Sequence, residues 1–296
     1  MLNFKKIELE DIPVLKAFFD AYPNRQCDRT AGAIAMWRNV YYNYYAVTDG
    51  TIILSSKPEN EYSFSYPIGK NPDAATGTLE NFCREHMLPM RFFGISNDEK
   101  DRLLELYPDS EFHSDRDHSD YLYDKTAILT LVGKKYSTQR NHINKFKKLY
   151  DNWDFEKITE ANIPEIIEFT KGFSFNSSKE GSSAEKELEL CCEVLENYSV
   201  FGMFGGALRI NGKIAGYSIG EIIGDTLFCH IEKADISYHG AYQMVTNQFL
   251  QMYAQGDEVK LVNREDDCGD EGLRKSKLSY NPVELLEKIE FIVNLK

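Results

Sequence analysis

"FEKITEANIPEIIEFTKGF" (155–173) echoes "FKKIELEDIPVLKAFFDAY" (4–22). Each copy opens with an aromatic residue and a Lys-Ile step, passes through an acidic turn, reaches Ile-Pro and continues with helical apolar spacing. In the first copy Ile12, Leu15, Phe18 and Phe19 share one helix face, and the Pro sits where a first helical turn tolerates it. A repeat of this length, recurring after about half the chain, predicts two similar domains in tandem. A chain of 296 residues suits two such domains.

Outward from the echo, the punctuation is strong. Asp49-Gly50 and Asn211-Gly212 each divide two β-rich runs and predict hairpins. Gly224-Asp225 predicts a further turn. Ser96 followed by Glu99 is a capping box ahead of "NDEKDRLLELYP". "EYSFSYPIG", "LPMRFFGIS" and "EFHSDRDHSDYLYD" read as strands, "RTAGAIAMWRNVYYNYY" and "DAATGTLENFCREHM" as helices. "SSKEGSSAEKELELCCEVLENY" reads as a polar loop feeding a helix, and "AYQMVTNQFLQMYAQG" as a helix closed by Gly256. "DEVKLVNRED" is expected to be a strand, "DEGLRKSKLSYNP" a helix and turn, and the last segment a helix or a strand. The second half thus places an antiparallel meander before a strand–helix–strand crossover, whose two strands run parallel. We expect domains at 1–130 and 153–296, joined at 131–152 by a basic helix.

Composition narrows the function classes. The net charge is −13, yet Gly133 to Lys148 carries six Lys/Arg and no Asp or Glu. An acidic body argues against DNA binding, while the local patch suits a tRNA, an anionic phosphate or the surface of an anionic lipid. In the basic helix Ile143, Phe146 and Tyr150 face a core, leaving Lys135, Arg140, His142 and Lys145 to solvent or to phosphates. The six cysteines show no C-x-x-C spacing and read as reduced thiols of a cytoplasmic protein. "MLNFKKIELEDIP" turns charged too early for a signal peptide, and no apolar run is long enough to span a bilayer.

The segments "KKYSTQRNHINKFKK" (134–148) and "VNREDDCGDEGLRKSKLSYNPVELLEKI" (262–289) resemble the lysyl-phosphatidylglycerol synthetase C-terminal-domain family and its soluble relatives. That family belongs with the tandem GNAT-like, Fem-type aminoacyl-transferases. The resemblance implies an α/β (α+β) fold of two GNAT-like acyltransferase domains with a cleft in the second. It implies transfer of an acyl group from aminoacyl-tRNA or acyl-CoA to an amine or hydroxyl, by direct attack, with no permanent cofactor. The alternative is a non-catalytic ligand- or RNA-binding protein on a decayed transferase scaffold.

Candidate site residues follow from strand ends and faces. Asn263 and Glu265 are expected on one face of a strand end, Arg264 and Asp266 on the other. His230 and Glu232 are expected together, opposite Cys229 and Ile231. Glu232 and Glu265 are candidate proton acceptors, with Tyr280 as a further proton-transfer candidate. Arg264, Arg274 and Lys277 are candidate anion grips. Gly240-Ala241 keeps the small pair of a donor-phosphate loop, with Ser237 where Gln or Arg would stand. Each has a structural reading too: a polar loop, surface charge, or a half-exposed sheet face. "HSDRDH" (113–118) does not complete a metal site, because His118 leaves the face shared by His113, Asp115 and Asp117.

Overall fold

The computed structural model describes residues 2–41, 43–56, 62–177 and 183–295, with the side chains of 174–185 not described. The polar loop expected at 178–182 lies outside the described residues. The chain forms two compact units, both discontinuous. One comprises Met1–Asp120, Asp266–Glu271 and Leu285–Lys296; the other comprises Tyr121–Glu265 and Gly272–Glu284.

The first unit takes β1 (Lys5–Lys6), α1 (Ile12–Ala21), α2 (Ala31–Tyr41), β2 (Tyr44–Thr48), β3 (Thr51–Ser56), β4 (Ser63–Phe64), β5 (Ile68–Gly69), α3 (Pro72–His86), β6 (Met90–Ile95), α4 (Asn97–Leu106) and β7 (Glu111–Ser114). The second takes β8 (Asp120–Asp124), α5 (Lys125–Thr130), α6 (Ser137–Leu149), β9 (Trp153–Lys157), α7 (Ile163–Ser177), α8 (Ser183–Glu196), α9 (Tyr198–Phe201), β10 (Phe204–Ile210), β11 (Lys213–Ile223), β12 (Thr226–Ala234), α10 (Ala241–Tyr253), β13 (Leu261–Asn263) and α11 (Glu271–Leu278). Two short strands follow, β14 (Glu284–Leu286) and β15 (Ile289–Val293).

Turn chemistry sets the hairpins. Asp49 and Gly50 both adopt positive φ, as do Asn211 and Gly212, so each pair closes a tight turn that matches strand twist. The Ser96 capping box forms, with Glu99 N–H on the Ser96 hydroxyl and the Glu99 carboxylate on the Ser96 N–H. The echo is structural: Pro13 and Pro164 each stand second in a helix that follows a short strand.

Among the described residues the first sheet has order β1-β2-β3-β4-β6-β15-β7, with β5 also on β3, and the second has order β14-β8-β13-β12-β11-β10-β9. In the second sheet β12 and β13 are parallel, as the crossover through α10 requires. The final segment is strand, not helix, and it returns to the first sheet between β6 and β7. Its alternation explains this: Ile289, Phe291 and Val293 all enter the first unit's core beside Phe64 and Phe92. That return replaces the continuous boundaries expected at 130 and 153. The basic helix α6 likewise belongs inside the second unit, where Ile143 and Phe146 are buried.

Phe291 is fully buried. Phe291→Ala should therefore cost about 3–5 kcal/mol in urea unfolding. Leu273→Ala, on an exposed helix face, should stay within about 0.5 kcal/mol of the parent. A small effect at Phe291 would mean that β15 does not complete the first core.

Candidate functional site

The site grows from the place where parallel pairing ends. β12 and β13 pair at Thr226–Leu261, Leu227–Val262 and Phe228–Asn263, and there β13 stops while β12 runs on to Ala234. On its other side β12 carries a bulge: Ile219 faces Ile231 but Gly220 faces Cys229, so His230 is the extra residue. Strict alternation along "FCHIEKAD" therefore fails at His230.

The bulged His230 lies between two carboxylates. Its Nδ1 is 2.7 Å from Glu265 Oε1 and its Nε2 is 3.0 Å from Glu221 Oε1. The imidazole is 1% exposed, Glu221 7% and Glu265 28%, so Glu265 is the member open to solvent. Burial alone would lower the His230 pKa, but hydrogen bonds and charge from Glu221 and Glu265 raise it to about 10. The ring is thus an imidazolium that donates from both nitrogens. Glu265 itself adopts φ +56°, and its N–H donates to Asn263 Oδ1 at 2.6 Å. A left-handed Glu is a strained position, held here by that short turn. It also takes Glu265 off the strand face predicted for it beside Asn263.

Next to this triad, Arg264 and Glu232 form a buried ion pair. Arg264 Nε and Nη2 donate to Glu232 Oε2 at 2.9 and 2.6 Å, and Thr246 Oγ1 donates to Glu232 Oε1 at 2.7 Å. The Tyr280 ring lies 4.8 Å from the guanidinium carbon. Burial works against the Arg264 charge, and Glu232 outweighs it. Tyr280 is 4% exposed, and its burial raises the phenol pKa, so it keeps its proton. Glu232, expected as a proton acceptor, is instead neutralised, and Arg264, expected as an anion grip, is 8% exposed and already matched.

The remaining expected residues spread over the same unit. Lys277 Nζ stands 5.8 Å from the Tyr121 ring, and Arg274 is half-buried on α11. Arg140 donates to the Leu131 and Gly133 carbonyls, capping the end of α5, so it serves the backbone. Lys135 and Lys145 are exposed. His142 Nδ1 is 3.3 Å from His239 Nε2. Gly240 opens α10 at φ +82°, and a Cβ there would come within 2.7 Å of the His142 carbonyl. That contact requires glycine and brings the small pair Gly240-Ala241 against the basic helix.

Sequence reasoning missed Glu221, although a Glu inside the apolar run "GYSIGEIIG" was a readable sign. It missed a second cluster as well, in the first unit. Lys288 Nζ lies 2.8 Å from Asp120, 3.0 Å from Asp28, 3.2 Å from Asp266 and 3.2 Å from Cys27 Sγ. Burial opposes the Lys288 charge, and the aspartates, Asp120 foremost, raise its pKa well above the ordinary value. Asp266 thus belongs to this cluster, not to a face shared with Arg264. A cavity of ≈ 270 Å³ at Glu160, Ile163, Pro164, Leu195 and Tyr198 contains neither cluster. In "HSDRDH", His113 pairs with Glu290 and Asp115 caps a short turn. Among the described residues no group of three or more His, Cys, Asp or Glu could hold a metal ion, and no helix is long and apolar enough to cross a membrane.

Residues 19–289 match the family model described as phosphatidylglycerol lysyltransferase, C-terminal, and the chain belongs to that family. A crystal structure of a Bacteroides thetaiotaomicron protein of unknown function superposes with TM-score 0.92 at 31% identity, over 99% of this chain and 100% of that one. The C-terminal domain of a protein described as an Agrobacterium fabrum lysylphosphatidylglycerol synthetase superposes with TM-score 0.70 at 15% identity, over 97% and 92% of the two chains. An uncharacterised Mycoplasmoides gallisepticum protein is 28% identical over 171 residues, which is 57% of this chain and 54% of that one. This chain therefore matches about half the length of that curated relative. The fold is tandem GNAT-like, shared with a tandem GNAT protein and with FemX.

The raised His230 pKa has a defined consequence. Its stabilising charge is fully present below the ordinary value of 6.5 and is lost as pH rises through about 10. Relative to His230→Gln, the parent should lose its stability advantage over that window in urea titrations. A constant difference from below pH 6.5 to above pH 10 would show that His230 is not held charged.

Proposed function

We propose that this protein is an acyl- or aminoacyl-transferase, moving an acyl group from an activated donor to an amine or hydroxyl acceptor by direct attack. The scaffold and family support transfer chemistry of this type. The observation that carries the reading is the Glu221–His230–Glu265 triad at the end of the parallel strand pair. An imidazolium between two ionised carboxylates leaves one negative charge over. Taking a proton from the acceptor makes the group neutral, which burial favours. Glu265, the exposed member, would receive that proton from the attacking nitrogen or oxygen while His230 holds the carboxylate in place. The nucleophile then attacks the donor carbonyl, and the donor's ester or thioester bond breaks as its oxygen or sulfur leaves with the proton that Glu265 took up, which restores the carboxylate. No covalent link to the protein is needed.

The donor is aminoacyl-tRNA on family grounds and acyl-CoA on fold grounds. Lys134, Lys135, Lys145 and Lys148 are exposed and form the cationic surface that would meet a donor's phosphates. A cytoplasmic setting fits six cysteines that are all free thiols. One observation favours the second reading, a binding protein on a decayed scaffold: Glu232 and Glu265 are both engaged in ion pairs.

Charged tRNA and acyl-CoA, each incubated with amine acceptors, separate the two. Wild-type protein should transfer the acyl group, and Glu265→Gln should lower turnover by about 10²–10⁴-fold with binding retained. Binding without transfer in the wild type would establish the second reading. Lys145→Ala with Lys148→Ala should weaken tRNA binding and flatten its salt dependence by about one unit of slope per lost phosphate contact.

A further inference from the structure

His230 has a carboxylate against each ring nitrogen, and the two carboxylates differ in kind. Glu265 comes from the loop after β13 and keeps 28% of its side chain in water; Glu221 comes from β11 and keeps 7%. The strand register puts Glu221 there. Glu221 lies directly across from Phe228 on β12, and the Phe228 and His230 rings stack with centroids 6.0 Å apart, 10° from parallel. Glu221, Phe228 and His230 thus share one face of the sheet.

An ionised carboxylate can only accept, so a ring with one at each nitrogen must donate twice. A neutral imidazole has a single N–H, and its bare nitrogen would face a carboxylate oxygen. Glu221 and Glu265 together therefore admit the imidazolium and exclude both neutral tautomers.

Burial decides which of the two contacts can exchange. Breaking a buried ion pair leaves its charges in a poor solvent, so the Glu221–His230 contact is held. Glu265 is the member that reaches water. With Glu221 in place the ring has no lone pair to offer, and an arriving proton finds only the Glu265 carboxylate. With the Glu221 charge removed, one carboxylate remains, the ring gives up its proton more readily, and a neutral imidazole becomes a rival base. The neighbouring Arg264–Glu232 pair is balanced in charge and does not reverse this order.

We propose that Glu221 is a positioning residue for the transfer chemistry: it holds the His230 Nε2–H, commits the Nδ1–H to Glu265, and so makes Glu265 rather than the ring the group that takes the acceptor's proton. The proposal rests on the transfer reading and adds to it what selects the base.

The test uses the full chain carrying ¹⁵N-histidine, with the His230 ring signals followed by NMR and assigned by their loss in His230→Gln. In the parent both ring nitrogens should stay protonated from below pH 6.5 to about pH 10. Glu221→Gln should bring the loss of that proton to lower pH. In a transfer assay the same variant should add an ionisation to the pH profile of turnover that the parent lacks. A residue that merely supports the fold would lower the rate and leave the shape of the profile alone. Glu221→Asp keeps the charge on a shorter stem and should return both the ring titration and the profile towards the parent. Glu265→Gln removes the other carboxylate, and the ring should stay doubly protonated through neutral pH on Glu221 alone. A neutral ring in Glu265→Gln at neutral pH overturns the assignment even where Glu221→Gln fails to fold. So does a folded Glu221→Gln whose ring titrates as in the parent. Transfer with the same profile in parent and Glu221→Gln removes the positioning role and leaves the transferase reading standing. The expected ring titrations in a protein that transfers nothing remove the transferase reading and leave the hold of Glu221 on His230.

Discussion

Charge withdrawn from water must be matched where it lies, and this constraint organises the end of the β12–β13 pair. Removing one member of a buried ion pair typically costs 3–5 kcal/mol, because the survivor is left charged in a poor solvent. His230 and Arg264 are both buried cations, and each is answered by carboxylates from a different strand or loop. The bulge at His230, the left-handed turn at Glu265 and the position of Tyr280 are then mutually fixed. The loop after β13 is tied into one arrangement by five charged side chains, Glu221, His230, Glu232, Arg264 and Glu265.

The same constraint separates two kinds of acidic residue that look alike in sequence. Glu232, 13% exposed, accepts from Thr246 on one oxygen and from Arg264 on the other. Glu265 keeps 28% of its side chain in water while bonded to a charged ring. The first is suited to holding a scaffold rigid, the second to exchanging a proton with something outside.

Much of the fold was legible because it is written locally. Asp-Gly and Asn-Gly pairs specify hairpins by backbone preference alone, and the Ser96 box specifies a helix start through two hydrogen bonds. The echoed strand–turn–helix units appear as read. What was not legible depends on partners distant in sequence. Nothing near Lys288 announces Asp28 or Asp120, and nothing near Ile289 announces β6 and β7. A period-2 reading of His230 failed because one inserted residue shifts every later side chain. Asn263 stands at the strand end read for it and Arg264 just beyond, but the partner of Arg264, Glu232, lies 32 residues away in sequence.

The return of β15 to the first sheet governs the order of assembly during synthesis. Residues 1–120 emerge from the ribosome early, yet β6 and β7 have no strand between them until 289–293 are made. The second unit has its residues in hand from 121 to 284, before that closing strand exists. The half of the chain translated first is the half that finishes last, with two open strand edges while it waits. Such long-range closure slows folding and leaves edges able to pair with other chains, a natural place for a chaperone to act.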